Sequence, residues 1–190
     1  MKKIPCLFQR IFNGRKAADI TSDVTPGCEW VLAGEGTASR KWDGTACAVI
    51  GGVLHKRYDA KPGKQAPPGS IPCQDPDPVT GHWPHWVPVS EQNPADKHHL
   101  AAWAQLAPLP DGTYELVGPA INGNPEGLSE LALRAHGDVV LDVPRTFDGL
   151  REFLDANLIE GIVFAHPDGR ACKIRRNDFG MPWGSKSRAA

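Results

Sequence analysis

Two short β-type runs, Thr45–Ile50 and Val53–Tyr58, are separated by Gly51-Gly52 alone. A two-residue connection closes an antiparallel pair only through a primed turn, which requires positive φ where glycine adopts it at least cost. The chain is therefore built on at least one tight hairpin, and its return strand carries His55, Lys56 and Arg57. A second hairpin is expected near the end: Gly161–His166, a turn at Pro167-Asp168-Gly169, and Arg170–Arg176. Cys28–Leu32 is apolar and partly β-favouring, and Thr113–Val117 reads as a strand containing Glu115.

Helices are expected between the hairpins. Asn93 has the chemistry of an N-cap, with Pro94 at the first helical position and Asp96 in the first turn. Leu100, Trp103, Ala104 and Ala107 then recur at helical spacing up to Pro108. A short helix is predicted around Leu128–Ala135, ended by Gly137. Another spans Thr146–Leu158, with Phe147, Leu150 and Leu154 on one stripe. Eight of the 18 prolines fall between Ala60 and Gln92, which predicts a long irregular excursion rather than a strand or helix. His82 and His85 lie in it near Cys73, Asp75 and Asp77, but His-x-x-His on a proline-rich loop lacks a frame for a metal. The expected fold class is α+β, with antiparallel hairpins early and late and helices between.

At 190 residues the chain is read as one domain, 1–190, large enough for a core without staples. Five scattered cysteines with no Cys-x-x-Cys pair fit neither a disulfide framework nor a zinc knuckle, and point to a reducing cytoplasm. No apolar run reaches signal-peptide or membrane-span length, so no membrane role is expected. A net charge of −1 argues against a generally basic, nucleic-acid-coating protein, so any polyanion must be met by clustered residues.

Lys41-Trp42-Asp43-Gly44 places an amine, a carboxylate and uncluttered backbone together, just ahead of the Gly-Gly hairpin. Alone, Lys-x-Asp-Gly would arise by chance in roughly one in a few dozen chains of this length. The final hairpin supplies Glu160-Gly161-Ile162-Val163-Phe164 and Lys173-Ile174-Arg175. Residues two apart on a strand share a face, so Lys173 and Arg175 are expected to project together, solvated or opposed by an anion.

Together with Tyr114-Glu115-Leu116-Val117-Gly118, these segments resemble, in order, motifs I, III, IV and V of the covalent nucleotidyltransferases: ATP-dependent RNA and DNA ligases and messenger RNA capping enzymes. The resemblance covers roughly residues 29–176, and with Glu35-Gly36 ahead of Arg40-Lys41 and Gly118-Pro119 after motif III it is nearest to compact RNA ligases of phage and bacterial type. It implies a nucleotide-binding groove between antiparallel sheets, the adenylation-domain, ATP-grasp-like architecture. Only 14 residues follow Arg176, so no appended OB-fold is expected, and RNA-end specificity falls to this domain. The cations Lys56, Arg57, Lys61 and Lys64 and the proline-rich loop are the candidates for it.

The implied reaction has three steps. Lys41 takes AMP from ATP, AMP passes to an RNA 5′-phosphate, and a 3′-hydroxyl displaces AMP to seal the strand. A lysine with an ordinary pKa of about 10.4 needs neighbouring positive charge or desolvation to become a nucleophile, and Arg40, Lys173 and Arg175 are candidates to supply it. By resemblance, Lys41, Asp43, Glu160, Lys173 and Arg175 are catalytic. Arg40, Lys41, Arg57 (or, for Arg57, the RNA phosphate), Glu115 at the ribose, Phe164 (or Trp42) and Lys173 at the α-phosphate bind the nucleotide, and Glu160 meets the metal, Mg²⁺ or Mn²⁺, or the lysine amine. Motif V is often Lys-x-Lys, whereas Arg175 here offers a permanently charged planar fork. A GTP-dependent capping-type enzyme and a non-catalytic RNA-end-binding module are the alternatives.

Overall fold

The computed structural model describes residues 4–14, 16–61, 63, 65–78 and 80–184, with the backbone alone at 16–18. The chain is α+β, and its strands pair antiparallel throughout the named sheets. It divides into two compact units: one from Asp43 to His136, the other from Ile4–Trp42 with the chain from Gly137 onward. No described helix is long and apolar enough to cross a membrane.

In chain order the elements are β1 (Phe8–Asn13), β2 (Lys16–Val24), α1 (Glu29–Leu32), β3 (Thr37–Lys41), β4 (Thr45–Ile50), β5 (Val53–Ala60), β6 (Ile71–Pro72), β7 (Trp83–Pro88), α2 (Lys97–Leu106), β8 (Gly112–Val117), β9 (Ala132–Ala135), α3 (Phe147–Ala156), β10 (Gly161–Ala165) and β11 (Ala171–Arg175).

The Asp43–His136 unit is a six-stranded sheet ordered β6-β7-β5-β4-β8-β9. The Gly-Gly hairpin forms as expected: Ile50 pairs with Val53, and Gly51 and Gly52 sit at φ 59° and 73°. The Asp111 carboxylate accepts both turn amides, at 2.7 and 3.0 Å. Cys47, Val49, Leu54, Tyr114, Leu116 and Leu133 share one sheet face and form the core with Ala102 of α2. Asn93 caps the 3₁₀ turn Pro94–Asp96 that leads into α2, and α2 buries His99 and Ala102.

Two expectations change in this unit. The proline-rich excursion is partly sheet: β7 pairs with β5 from Ala60↔Trp83 to His55↔Pro88. Pro84 and Pro88 are tolerated because their backbone groups turn away from the β5 ladder, Pro84 toward the β6 side where its carbonyl accepts the Cys73 amide, whereas Val89 donates to Leu54 of β5. The segment read as a helix around Leu128–Ala135 contains β9 instead. Pairing Leu116↔Leu133 buries Leu133 against β8, and four residues of ladder override a helix-favouring composition.

The other unit holds a three-stranded sheet, β11-β10-β3, and the two-stranded β1–β2 hairpin. Ala38, Ile162, Phe164, Cys172 and Ile174 fill one face of the sheet and meet Leu150 and Leu154 of α3. Thr146 caps α3 by accepting the Gly149 amide at 3.2 Å. Phe147 lies edge-on to both Phe8 and Phe179, with centroids 4.9 and 5.3 Å apart. Such pairs contribute about 0.5–1.5 kcal/mol each beyond area burial. Residues 29–32 of the β-favouring Cys28–Leu32 run form the single helical turn α1. Burial of Trp30 and Val31 sustains it, and Trp30 Nε1 donates to the Gly27 carbonyl at 3.0 Å.

Candidate active site

Lys41 is the last residue of β3, opposite Gly161 of β10, and Gly161 is opposite Arg175 of β11. One row across the sheet therefore reads Lys41, Gly161, Arg175, and the next reads Ser39, Val163, Lys173. The five side chains of these rows, Gly161 having none, project to the face opposite the core. Lys41 Nζ donates to Glu160 Oε2 at 2.6 Å and to the Trp42 carbonyl at 3.3 Å. Glu160 is buried apart from this contact region, at 8% exposure.

Gly161 is required by sheet geometry. A Cβ there would run into the Ile174 carbonyl and lie 2.9 Å from Arg175 Cα. Arg175 donates to both Asp178 oxygens, from Nε at 3.2 Å and Nη2 at 3.1 Å, and its own amide bonds the same carboxylate at 3.0 Å. Arg10 of β1 adds a 2.7 Å bond to Asp178. Burial alone would raise the Asp178 carboxyl, but the Arg175 and Arg10 guanidiniums outweigh it and hold it below the carboxylate range.

Lys173 has no carboxylate bonded to it among the described residues. Burial, then the charges of Arg175, Lys41 and Arg10, bring its ammonium down to about 8, with Glu160 opposing weakly. The patch thus holds four cations, Lys41, Lys173, Arg175 and Arg10, against two carboxylates, Glu160 and Asp178. It can receive an anion.

Arg40 alternates to the face opposite Lys41 and stacks over Trp42, its guanidinium carbon 3.9 Å from the ring centroid. Trp42 is itself buried and donates to Asp138 at 3.1 Å. Phe164 is fully buried in the core, with the Arg145 guanidinium 5.0 Å from its ring centre, so its position serves packing.

The chain passes into the other unit after Trp42. There the Asp43 amide donates to Glu126 Oε1 at 2.9 Å, and its carboxylate accepts Asn122 Nδ2 at 3.0 Å. Asn122 also donates to the Gly44 carbonyl at 2.8 Å. The Gly44 amide donates to Glu115 Oε1 at 3.1 Å, and Glu115 Oε2 meets His136 Nε2 at 3.0 Å. His136 Nδ1 in turn lies 3.0 Å from the Thr113 hydroxyl. Gly44 admits no side chain, since a Cβ would strike the Leu116 carbonyl and approach Val117 Cγ1 at 2.8 Å.

Asn122 and Glu126 belong to a loop with left-handed backbone at Ala120, Asn122 and Asn124 (φ 65°, 48° and 56°). Strain of this kind persists only where surrounding structure enforces it, here by burying Ile121 and by the bonds to Asp43 and Gly44. Asn122, Glu126, His136, Asp178 and Arg10 were not legible as site residues. The run Asn122-Gly123-Asn124-Pro125 is made of turn-forming residues, a composition that specifies a loop but not what it grips.

Arg57 and Glu115 lie on the same face of the six-stranded sheet, with Ala46 opposite Glu115. Arg57 Nε donates to Asp59 at 3.0 Å. The expected Lys56, Arg57, Lys61, Lys64 cluster is divided. Lys56 turns to the core face and pairs with the buried Asp96, Arg57 faces the other way, and Lys64 lies outside the described residues. His82 pairs with Asp59 at 3.3 Å, and His85 Nδ1 meets the Trp83 carbonyl at 2.9 Å. Among the described residues no group of three or more His, Cys, Asp or Glu could hold a metal ion by itself.

No family model matches the chain. It is similar to proteins named RNA ligase 1. One from Pongo abelii is 31% identical over an alignment of 142 residues, and one from Rattus norvegicus is 30% identical over 141. A third, from Mus musculus, is 32% identical over 137. Each alignment takes in 54% of this chain and 42% of the relative, so the chain spans under half the length of the curated relatives it matches. These distant, partial likenesses support a relationship to RNA ligases.

Proposed function

We propose that residues 1–190 act as one adenylation domain of an ATP-dependent RNA ligase, a covalent nucleotidyltransferase of the compact kind. The observation that carries this reading is Lys41 Nζ held 2.6 Å from Glu160 on a sheet face that also presents Lys173, which has no carboxylate bonded to it among the described residues. The names of the relatives point to the same chemistry.

In the first step Lys41 Nζ attacks the α-phosphorus of ATP. An N–P bond forms, the bond to the bridging oxygen breaks, and pyrophosphate leaves. The attacking amine must be neutral, and Glu160 Oε2 is the atom within reach of its proton. Lys173 binds the α-phosphate oxygens, where charge is redistributed during displacement. Arg175, oriented by Asp178, extends the same field. Asp43 and Glu115 hold the backbone after Lys41 and the ribose, and Arg57 contacts a phosphate. In the second step an RNA 5′-phosphate oxygen attacks the same phosphorus, the N–P bond breaks, and the amine recovers a proton. In the third, a 3′-hydroxyl attacks the activated 5′-phosphate and AMP leaves.

A single carboxylate beside a triphosphate suits Mg²⁺, or Mn²⁺, because such ions keep several waters and bind through one or two carboxylates plus substrate phosphates. Glu160 would hold it, and the ion supplies charge neutralisation for the departing pyrophosphate.

The test is labelling of the purified chain with radiolabelled ATP and Mg²⁺. An acid-labile covalent adduct is expected, and Lys41→Ala abolishes it; an intact adduct on the variant refutes the nucleophile. Preference for GTP would make the chain a capping-type enzyme. Salt-sensitive binding of 5′-phosphorylated RNA without any adduct would make it a non-catalytic RNA-end-binding module.

A further inference from the structure

Thr113 and Glu115 lie two residues apart on β8 and so share a face of the six-stranded sheet. β9 pairs beside them, with Tyr114 opposite Ala135, and the residue that follows β9 is His136. Its amide donates to the Thr113 carbonyl at 3.0 Å. The imidazole then bridges the two side chains: Nε2 is 3.0 Å from Glu115 Oε2, and Nδ1 is 3.0 Å from the Thr113 hydroxyl. An ionised carboxylate only accepts, so Nε2 carries a proton, and in the neutral ring Nδ1 accepts from the Thr113 hydroxyl. With both nitrogens engaged, the ring is fixed at two points and aims one N–H at Oε2.

The other carboxylate oxygen is held from elsewhere in the chain, since Oε1 accepts the Gly44 amide at 3.1 Å. A carboxylate offers about four acceptor positions, and one donor on each oxygen leaves roughly two of them open. Glu115 is only 8% exposed, and Ala46, opposite it on β4, adds no more than a methyl group to that face. A nearly buried carboxylate with open acceptor positions calls for a hydrogen-bond donor, and a phosphate, which is anionic and accepts, does not supply one. A neutral sugar hydroxyl does.

We propose that His136 is a positioning residue for nucleotide selection: it holds Glu115 Oε2 so that an open lone pair of the carboxylate meets a ribose hydroxyl, and so lets the site tell ribose from deoxyribose. This rests on the ligase reading, in which Glu115 takes the ribose, and adds the residue that sets how selective that contact is. The ladder already joins β9 to β8, and the backbone bond between His136 and Thr113 extends it. The imidazole adds the direction of one carboxylate. Without it Glu115 keeps the Gly44 amide alone, and its last torsion, intrinsically broad, is free to turn the open lone pair away from the sugar.

Wild type, His136→Leu, His136→Gln and Thr113→Val are compared as full chains. Calorimetry gives the affinity of each for AMP, 2′-deoxy-AMP and 3′-deoxy-AMP, which have no pyrophosphate to lose and form no adduct. Adduct formation from radiolabelled ATP and Mg²⁺ is measured separately. In wild type one of the two deoxy analogues is expected to bind roughly tenfold or more weaker than AMP, as for a hydrogen bond to a charged group. In His136→Leu that ratio falls to within about twofold of one, because AMP loses the contact and the deoxy analogue has none to lose. His136→Gln, which keeps an N–H donor near the Nε2 position, restores the ratio. Thr113→Val frees one end of the ring and lowers the ratio about threefold. Each ratio is taken within one protein, so a partly folded variant still reports it. A wild type that binds none of the three or does not discriminate, a ratio unchanged in His136→Leu, or a loss that glutamine does not restore overturns the proposal. Equal weakening of all three nucleotides does so too, since the ring then serves only the fold. If wild type forms no adduct yet the ratio follows His136, the ligase reading fails and the positioning role stands; an adduct with a ratio indifferent to His136 gives the reverse.

Discussion

Lys173→Met should stabilise the protein and, on the proposed ligase reading, weaken nucleotide binding. Lys173 is a half-buried ammonium surrounded by Arg175, Lys41 and Arg10, and its pKa falls from 10.5 to about 8, burial being the largest cause. At about 1.4 kcal/mol per pH unit, keeping it charged at pH 7 costs roughly 3 kcal/mol of folding free energy. Part of the side chain is in water and screened, so about 1–3 kcal/mol is the gain expected for methionine, which keeps the apolar stem. The pH dependence has a definite sign. Between about 8 and 10.5 the folded chain has released this proton and the unfolded chain still holds it, so wild-type stability rises through that window. Urea unfolding of both proteins across the window reads the difference directly, since every other titrating group is common to the two. The gap favouring methionine should be widest below pH 8 and close toward 10.5. On that reading, wild type should gain stability by mass action with ATP present and the variant should gain less. A variant less stable at neutral pH, or a gap that does not change with pH, would refute the reasoning.

Two further predictions concern the Asp43–His136 unit. Gly44→Ala forces a Cβ onto the Leu116 carbonyl and Val117 Cγ1 and should lower stability by about 1–3 kcal/mol; an unchanged urea midpoint would exclude the close approach. His99 is buried with neither ring nitrogen hydrogen-bonded, and burial lowers its pKa more than the nearby Asp96 raises it. Its folded pKa lies below the unfolded value, so its contribution is present above about pH 6.5 and lost as pH falls below. His99→Leu should flatten that acid limb in thermal melts, and a limb as steep as wild type would count against it.

What the sequence revealed was whatever depends on near neighbours. Gly51-Gly52 specified its hairpin because the turn needs positive φ at two adjacent positions, and period-two alternation placed Lys173 and Arg175 on one face. The same alternation puts Arg40 opposite to Lys41, a consequence of β3 that its place beside the lysine obscured. β9 was not legible, because Leu128–Ala135 favours a helix locally and becomes strand only through pairing with β8. β7 was hidden by prolines that look disqualifying until one knows which edge of the strand they occupy. Asp178, Asn122, Glu126 and His136 escaped notice for a related reason: each matters through a partner that only the fold supplies. The three-residue spacing of Asp178 from Arg175 gives no hint that Arg10, 168 residues away, completes the same carboxylate.

These late-arriving partners explain how a sheet face can carry so many cations. Like charges on neighbouring strands are destabilising. Asp178 absorbs the repulsion at one end by binding Arg175 and Arg10 together, and Glu160 absorbs it at the other by binding Lys41. Gly161 stands between Lys41 and Arg175 in the register, and its missing side chain is what lets Arg175 come close. Any larger residue there would push Arg175 off its strand and pull Asp178 with it. Two carboxylates leave the four cations two charges short of neutral, and among the described residues Lys173 is the cation with no carboxylate bonded to it. Its depressed pKa comes first from burial and then from its three cationic neighbours, so on the proposed reading a bound phosphate would relieve the second of these costs.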